Sequence, residues 1–280
     1  MPSFDTPEPI SVTAEVAVGS IRLTAGDRAD TVVEVRPRDP KRDKDVRAAE
    51  QTEVVYAGGF LTVRTKHRPL VGPSGLVDVT VDLPTGSQVE MSGSWAQLLG
   101  EGRLGEVRVK TSGGDVRLDT TGPLTLAVSH GLVTVDRVEG PAEITSSTGN
   151  VRVGTVEGPA VLKNVHGTTT VGKVTGETRM SSTNGGIDIA HAGASVTGTS
   201  TNGHLRVTEA VGGEIRLETS NGSIEVGIRR GVAAWLDVSS NRGQVRNMLP
   251  ESEAPETTEG TVAVHARSNW GNIDILRSKP

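Results

Sequence analysis

An all-β fold, wound for most of its length as a parallel β-solenoid (β-helix) of about 18-residue coils after a less regular β N-terminal third, is what this sequence predicts. Three observations carry the prediction: one glycine that recurs at near-constant spacing, apolar columns at fixed phase around it, and a composition suited to a narrow core. The glycine is shared by the segments TSGGDVRL, SHGLVTV, SSTGNVRV, NVHGTTTV, SSTNGGIDI, TSTNGHLRV, TSNGSIEV, SSNRGQVRN and RSNWGNIDI. It falls at Gly114, Gly131, Gly149, Gly167, Gly185, Gly203, Gly222, Gly243 and Gly271, with spacings of 17, 18, 18, 18, 18, 19, 21 and 28. A fixed period of this length marks a stacked-repeat architecture, and propeller blades need more than twice as many residues.

Each repeat places strands around that glycine. Two positions after it stand Val116, Val133, Val151, Thr169, Ile187, Leu205, Ile224, Val245 and Ile273, and two positions further on the residues are again mostly Val, Ile or Leu. That alternation is a short strand with one apolar face. Five positions before the glycine, Val109, Leu126, Ile144, Leu162, Met180, Gly198, Leu217, Val238 and Ala266 mark a second inward column. Val138, Val156, Val174 and Ala192 add a third inward position near a corner. Stacked coils put equivalent residues about 4.8 Å apart, so apolar columns must repeat in phase, as they do here.

The competing reading is a string of hairpins, because Asn184-Gly185, Asn202-Gly203 and Asn221-Gly222 are type I′ turn signals. In a solenoid the same Asn and Gly residues, with Gly114, Gly131, Gly149 and Gly167, are structural turn positions at a corner that favours φ > 0. Three residues before the glycine runs a small hydroxyl column of Thr111, Ser146, Ser182, Ser200, Thr219, Ser240 and Ser268, interrupted by Val128 and Asn164. Such residues hydrogen-bond along a stack. An outward column, Asp188, Arg206, Glu225, Arg246 and Asp274, alternates in sign as stacked neighbours prefer.

Composition agrees. Of 280 residues only 34% are hydrophobic and 2% aromatic, while Val supplies 38 positions, Thr 31 and Gly 35. With so few rings, β-branched residues must fill a narrow core. The organisation read from these patterns is a tail at 1–9, an N-terminal β region at 10–100 continuous with the solenoid, repeats at 101–276 with an acidic insertion at 248–260, and a tail at 277–280. The N-terminal strands are ISVTAEVAV, SIRLTA, DTVVEVRP, TEVVYA, FLTVRT, LVDVTVDLP and SQVEMS, with a mixed-charge loop or short helix from Pro37 to Glu50. Open terminal coils expose unpaired backbone groups, so caps are expected. Met248 to Gly260 is a candidate cap over the final coils, and at least one of Trp95, Trp235 and Trp270 is expected to close an end of the core.

The same numbers exclude function classes. A net charge of -5 and six dispersed aromatic residues supply neither a cationic field nor a stacking platform, so no nucleic-acid partner is expected. There is no cysteine, hence no disulfide scaffold, zinc knuckle or thiol nucleophile. The start MPSFDTPEPI has neither a basic n-region nor an apolar core, and no long uncharged apolar run occurs. No membrane insertion and a cytoplasmic location are the expectations.

The opening VAVGSIRLTAGDRADTVVEV, the middle FLTVRT and VDVTVDLPTGS, and the series of (S/T)-x-x-G-x-(I/V)-x-(I/V) turns together resemble a bacterial "putative adhesin" family, a domain of unknown function with β-strand repeats. The resemblance runs from about Ile10 to Ile275. It implies a β-solenoid linked by name to adhesion, and no established catalytic residues. No adhesin-type signal, anchor or sortase motif is expected of the chain, Leu83-Pro84-Thr85-Gly86 being internal and without the spacer residue.

Catalysis on a β-helix would require paired carboxylates about 5 to 10 Å apart or a calcium cluster with a base. Asp119 with Asp136, and Asp136 with Glu139, are the nearest candidates. His130 and His166 share a column but lie two coils apart, about 10 Å, too far for one metal. Thr168 to Thr170 approaches a Thr-x-Thr ice-binding array, which would have to recur in every coil. The reading is a non-catalytic, adhesin-like binding or scaffold surface that uses no cofactor or metal. Its partner is an unknown protein or glycan, and the chain is a monomer or weak dimer. A carbohydrate-active β-helix enzyme, a polysaccharide lyase or hydrolase, is the alternative.

Overall fold

Parallel strands whose partners lie one coil away in the chain build the molecule. The computed structural model describes residues 1–65, 75–249 and 260–278. The chain falls into two units, 1–139 and 140–280, each taken by itself below.

In 140–280 the strands form two rows. The first contains Ala142–Thr148, Ala160–His166, Thr178–Asn184, Val196–Asn202 and Gly213–Asn221, each parallel to the next. The second contains Val151–Val156, Thr169–Val174, Ile187–Ala192, Leu205–Ala210 and Ile224–Ile228, likewise parallel. This is a β-solenoid, and the hairpin reading falls because successive strands of a row run in the same direction. Register follows the predicted columns: Ile144 lies opposite Leu162, then Met180, Gly198 and Leu217. Gly198 is the small member of that column, since a Cβ there would sit 2.8 Å from Leu217 Cδ2. Val156, Val174, Ala192 and Ala210 fill the corner position and are fully buried.

Chain order and coil order part company after Ile228. The strand Thr261–Trp270 pairs with Gly213–Asn221 on one side and Ala233–Arg242 on the other. Ile273–Arg277 likewise lies between Ile224–Ile228 and Val245–Asn247. The last coil in sequence is therefore the penultimate coil in space, and the long last spacing reflects a chain that passes outward and returns. The expected charge column is corrected accordingly. Arg206 reaches Glu225 at 3.3 Å, but Glu225 then neighbours Asp274, and Arg246 comes last, 3.7 Å from Asp274. One like-charged pair thus replaces strict alternation.

The unit 1–139 shows the same inversion at its start. Ser11–Glu15 is flanked by Phe60–Arg64 and by the first part of the long strand Gln88–Arg103. Val18–Gly26 is flanked by Val77–Pro84 and by the second part of that strand. Regular coils follow in Val107–Gly113 with Val116–Thr121, and in Leu124–His130 with Val133–Val138. Antiparallel strands cover the outer edge: Glu53–Ala57 on Phe60–Arg64, Asp30–Pro37 on Val77–Pro84, and Ser3–Asp5 on Asp30–Pro37. The mixed-charge stretch is a short helix, Asp43–Glu50, packed on the strands Asp30–Pro37 and Val77–Pro84. Its Asp45 is buried, and its carboxylate accepts from the backbone N–H of Leu76 at 2.9 Å and of Asp39 at 3.3 Å.

The core is Val, Ile, Leu and Ala, with Met91 and Met180. Each fully buried Val or Leu is worth about 1.5–3 kcal/mol of transfer free energy. The expectation that a tryptophan closes the core is overturned: Trp95, Trp235 and Trp270 are 59%, 54% and 49% exposed. Indole is too wide for a gap filled by single β-branched side chains, and each ring instead lies on the surface, Trp95 over Gly113, Trp235 beside His265, and Trp270 under Arg242. The proposed cap between Met248 and Gly260 falls mostly on 250–259, outside the described residues.

Candidate functional site

The recurrent glycines sit where one coil's corner crosses the next. Gly114, Gly131, Gly149 and Gly167 have φ of 111°, 148°, 137° and 125°, a region that penalises a Cβ. Gly185, Gly203 and Gly222 lie outside that region, and close approach explains them instead. A Cβ on Gly203 would stand 2.1 Å from Gly185 O, and one on Gly222 2.0 Å from Gly203 O. The corners are laced by backbone bonds such as Gly185 N to Asn202 O at 2.9 Å and Gly203 N to Asn221 O at 2.9 Å.

Asn184, Asn202 and Asn221 end their strands one residue before these glycines and form an amide ladder. Asn221 Nδ2 donates to Asn202 Oδ1 and Asn202 Nδ2 to Asn184 Oδ1, both at 2.9 Å. Asn184 Nδ2 meets His166 Nε2 at 3.1 Å. In register, Asn221 is followed by Trp270 and then Arg242, whose Cζ stands 4.2 Å from the Trp270 ring centre. Inside the same corner the hydroxyl column acts on backbone. Ser200, Thr219, Ser268 and Ser240 each donate to the turn-glycine carbonyl of the adjacent coil, at 3.2, 3.1, 2.9 and 2.8 Å. Asn164 Nδ2 reaches both Gly149 O at 3.0 Å and Gly167 O at 3.1 Å, and Ser182 Oγ is left without a partner. These positions therefore join coil to coil.

A different surface has room for a ligand. On the outer side of the first row, Arg179, Thr197 and Arg216 are in register, so the two guanidiniums flank a short side chain at a separation of two coil steps, about 9.6 Å. Arg179 pairs with Glu177 at 2.8 Å and Arg216 with Glu214 at 2.6 Å, which leaves a groove of about 550 Å³ above Thr197 and Ser195. The Arg216 hydrogen bond and charge, with a smaller contribution from His265, hold the Glu214 carboxyl below its ordinary range. A second groove of about 450 Å³ runs over Thr199, Glu218, Ser220, Arg267, Ser239 and Asn269. Its Arg267 is fixed by Asp237 at 2.8 Å, and Asn241 Nδ2 donates to Asn269 Oδ1 at 2.8 Å. His265 lies between Glu214 and Asp237, 3.5 and 3.3 Å away. Fixed donors and acceptors thus alternate around the hydroxyls of Thr197 and Thr199, with Glu218 in register beside Thr199. Sequence reasoning missed this trough; its signal was the run Thr197, Thr199, Thr201 on outward positions between longer residues.

Of the other candidates, Asp119, Glu139 and His130 have structural partners, and Asp136 is an exposed residue of the strand Val133–Val138. Asp119 Oδ2 accepts from Gly102 N at 3.1 Å, and Glu139 is held by Arg103 at 2.8 Å and Arg137 at 3.6 Å. His130 Nδ1 meets Ser112 O at 3.2 Å. Thr169 turns into the core between Thr168 and Thr170. Among the described residues no group of three or more His, Asp or Glu side chains could hold a metal, and no helix is long and apolar enough to cross a membrane.

Stacked two-row coils, glycine corners and a polar outer face define a β-solenoid repeat protein. Residues 10–277 match the Toastrack DUF4097 family model, and the chain belongs to that family. Among solved structures it is similar to a "putative adhesin" from Parabacteroides distasonis, at 12% identity over 98% of this chain and 95% of that one, with a TM-score of 0.45. A protein from Bacteroides fragilis described in the same words matches at 15% identity over 98% and 95% of the two chains, with a TM-score of 0.39. A "putative lipid binding protein" from Parabacteroides distasonis matches at 11% identity over 100% and 94%, with a TM-score of 0.27. No curated protein matches the sequence.

Proposed function

We propose that the protein is a non-catalytic binding scaffold whose ligand is a glycan, held in the outer trough of 140–280. The observation that carries this reading is the trough itself: Thr197 and Thr199 form a floor flanked by the ion pairs Arg179–Glu177, Arg216–Glu214 and Arg267–Asp237. Each pair presents donors and acceptors in fixed positions with little net charge, which suits an uncharged chain of hydroxyls better than an anion. Side chains already tied to one another lose little further rotamer freedom on binding.

The test is a glycan-array screen followed by calorimetry on the best glycan, with Thr197→Trp and Thr199→Trp filling the trough. Both residues point outward, so the variants keep the wild-type melting temperature. Loss of binding in both supports the site, whereas unchanged affinity rejects it. Release of reducing ends from the bound glycan would replace the scaffold with the enzyme reading. A cytoplasmic location is part of the proposal, and protease treatment of intact cells tests it: protection fits an internal scaffold, and digestion fits an adhesin displayed outside.

A further inference from the structure

The edge of 140–280 formed by Ala233–Arg242 has a paired strand on one side only among the described residues. Ala233 N donates to Gly260 O at 3.2 Å, so by alternation Ala234, Leu236 and Val238 turn their backbone groups to the unpaired side. Among the described residues, the core behind this edge has no further coil over it. Val264, Ala266, Ile273 and Ile275 are fully buried, yet their register neighbours in the edge coil are open: Leu236 and Val238 are half-buried, Val245 is 42% exposed, and the polar Asn247 opposite Ile275 is exposed. In 1–139 the corresponding edge is covered by antiparallel strands and a helix. An unprotected edge with an apolar rim is a template for strand addition.

Charge indicates what would add. Arg229 and Arg230 precede the edge strand and Arg242 ends it; all three are exposed and have no ion-pair partner among the described residues. Arg246 has only the long contact to Asp274, and Asp237 is already neutralised by Arg267. A second copy would bring the same arginines face to face with these. We infer that the edge binds an extended acidic segment of a partner protein as an additional β-strand, its alternate apolar side chains covering Leu236 and Val238 and its carboxylates meeting the arginine rim.

The probe is a fluorescein-labelled peptide Thr-Val-Glu-Val-Glu-Val-Glu-Val-Thr, with a counterpart carrying Lys for Glu, measured by fluorescence anisotropy on the full chain. The expected result is binding of the Glu peptide only, weakened by salt and reduced about tenfold or more by Ala234→Pro and by Arg242→Glu with Arg246→Glu. Proline at 234 removes an N–H that no described residue accepts, so its circular dichroism and melting temperature stay near wild type. Should that variant fold poorly, Leu236→Lys supplies the same loss from the side-chain face. No binding, or equal binding of both peptides, overturns the proposal. Binding only after 250–259 is replaced by a Gly-Ser linker overturns the partner and assigns the edge to the chain's own glutamates. A dimer in sedimentation that Ala234→Pro converts to monomer assigns it to a second copy.

Discussion

Asn202 stands between Asn184 and Asn221, donating to one through Nδ2 and accepting from the other through Oδ1, each at 2.9 Å. A single amide therefore secures three consecutive corners. Asn202→Ala removes both bonds at an exposed site, where each nets about 0.5–1.5 kcal/mol. The expected loss is about 1–3 kcal/mol, read as a lower midpoint in urea denaturation with an unchanged slope. Asn221→Ala removes one ladder bond and should cost about half as much.

The corner glycines give a sharper contrast. Gly203→Ala places a Cβ 2.1 Å from Gly185 O, a backbone atom that cannot step aside without shifting the whole corner. A loss on the order of 4 kcal/mol or more is expected, with most of the protein recovered as aggregate. Gly212→Ala meets nothing within 4 Å, and its φ is outside the left-handed region. It should match the wild type or gain a few tenths of a kcal/mol by narrowing the unfolded ensemble. Comparing soluble yield and melting temperature of the two variants checks both statements.

Much of this was legible because a solenoid converts sequence period directly into space. The inward columns up to Ile224 and the corner position from Val156 to Ala192 fall where spacing put them, whereas Val245, in the same column, is 42% exposed at the edge. What could not be read is the order of coils at the ends. Pairing of Thr261–Trp270 with Gly213–Asn221 ahead of Ala233–Arg242 changes neighbours but leaves every inward residue inward, so the hydrophobic pattern carries no trace of it. The only hint was the 28-residue spacing, equally well explained by a bulging loop. The trough over Thr197 was hidden for a related reason: its flanking arginines come from coils one step to either side, and periodicity analysis reports inward columns more readily than outward depressions.

Glu214 should hold its charge further into acid than an ordinary glutamate. Glu214 has a folded-state value below its ordinary one, chiefly because of the Arg216 hydrogen bond and charge. A depressed carboxylate adds stability that is present above its unfolded value and is lost as pH falls through the folded value. Carbon-detected NMR titration should show Glu214 protonating below the ordinary glutamate value, and Arg216→Gln should return it toward that value. Glycan binding in the trough should weaken over the same acidic interval, with the melting temperature of the core little changed at its upper end. A Glu214 that titrates with the bulk carboxylates in the wild type refutes the pairing.

The inverted coil order makes an unusual truncation prediction. In an array stacked in chain order, stopping the chain after Asn247 would remove only an outer coil and leave the preceding ones intact. Here the residues lost include Thr261–Arg277, the coil on both sides of which other strands pair. Ala233–Arg242 and Val245–Asn247 would keep no parallel partner, and the buried faces of Ile215, Leu217, Ile224 and Val226 would open to water. Hydrogen exchange on a 1–247 chain should therefore show full deprotection of 233–247 and accelerated exchange in 213–228, while 142–192 keeps its protection. Slow exchange retained in 233–247 would mean that this segment had moved into the vacated register and that the observed coil order is not required for folding.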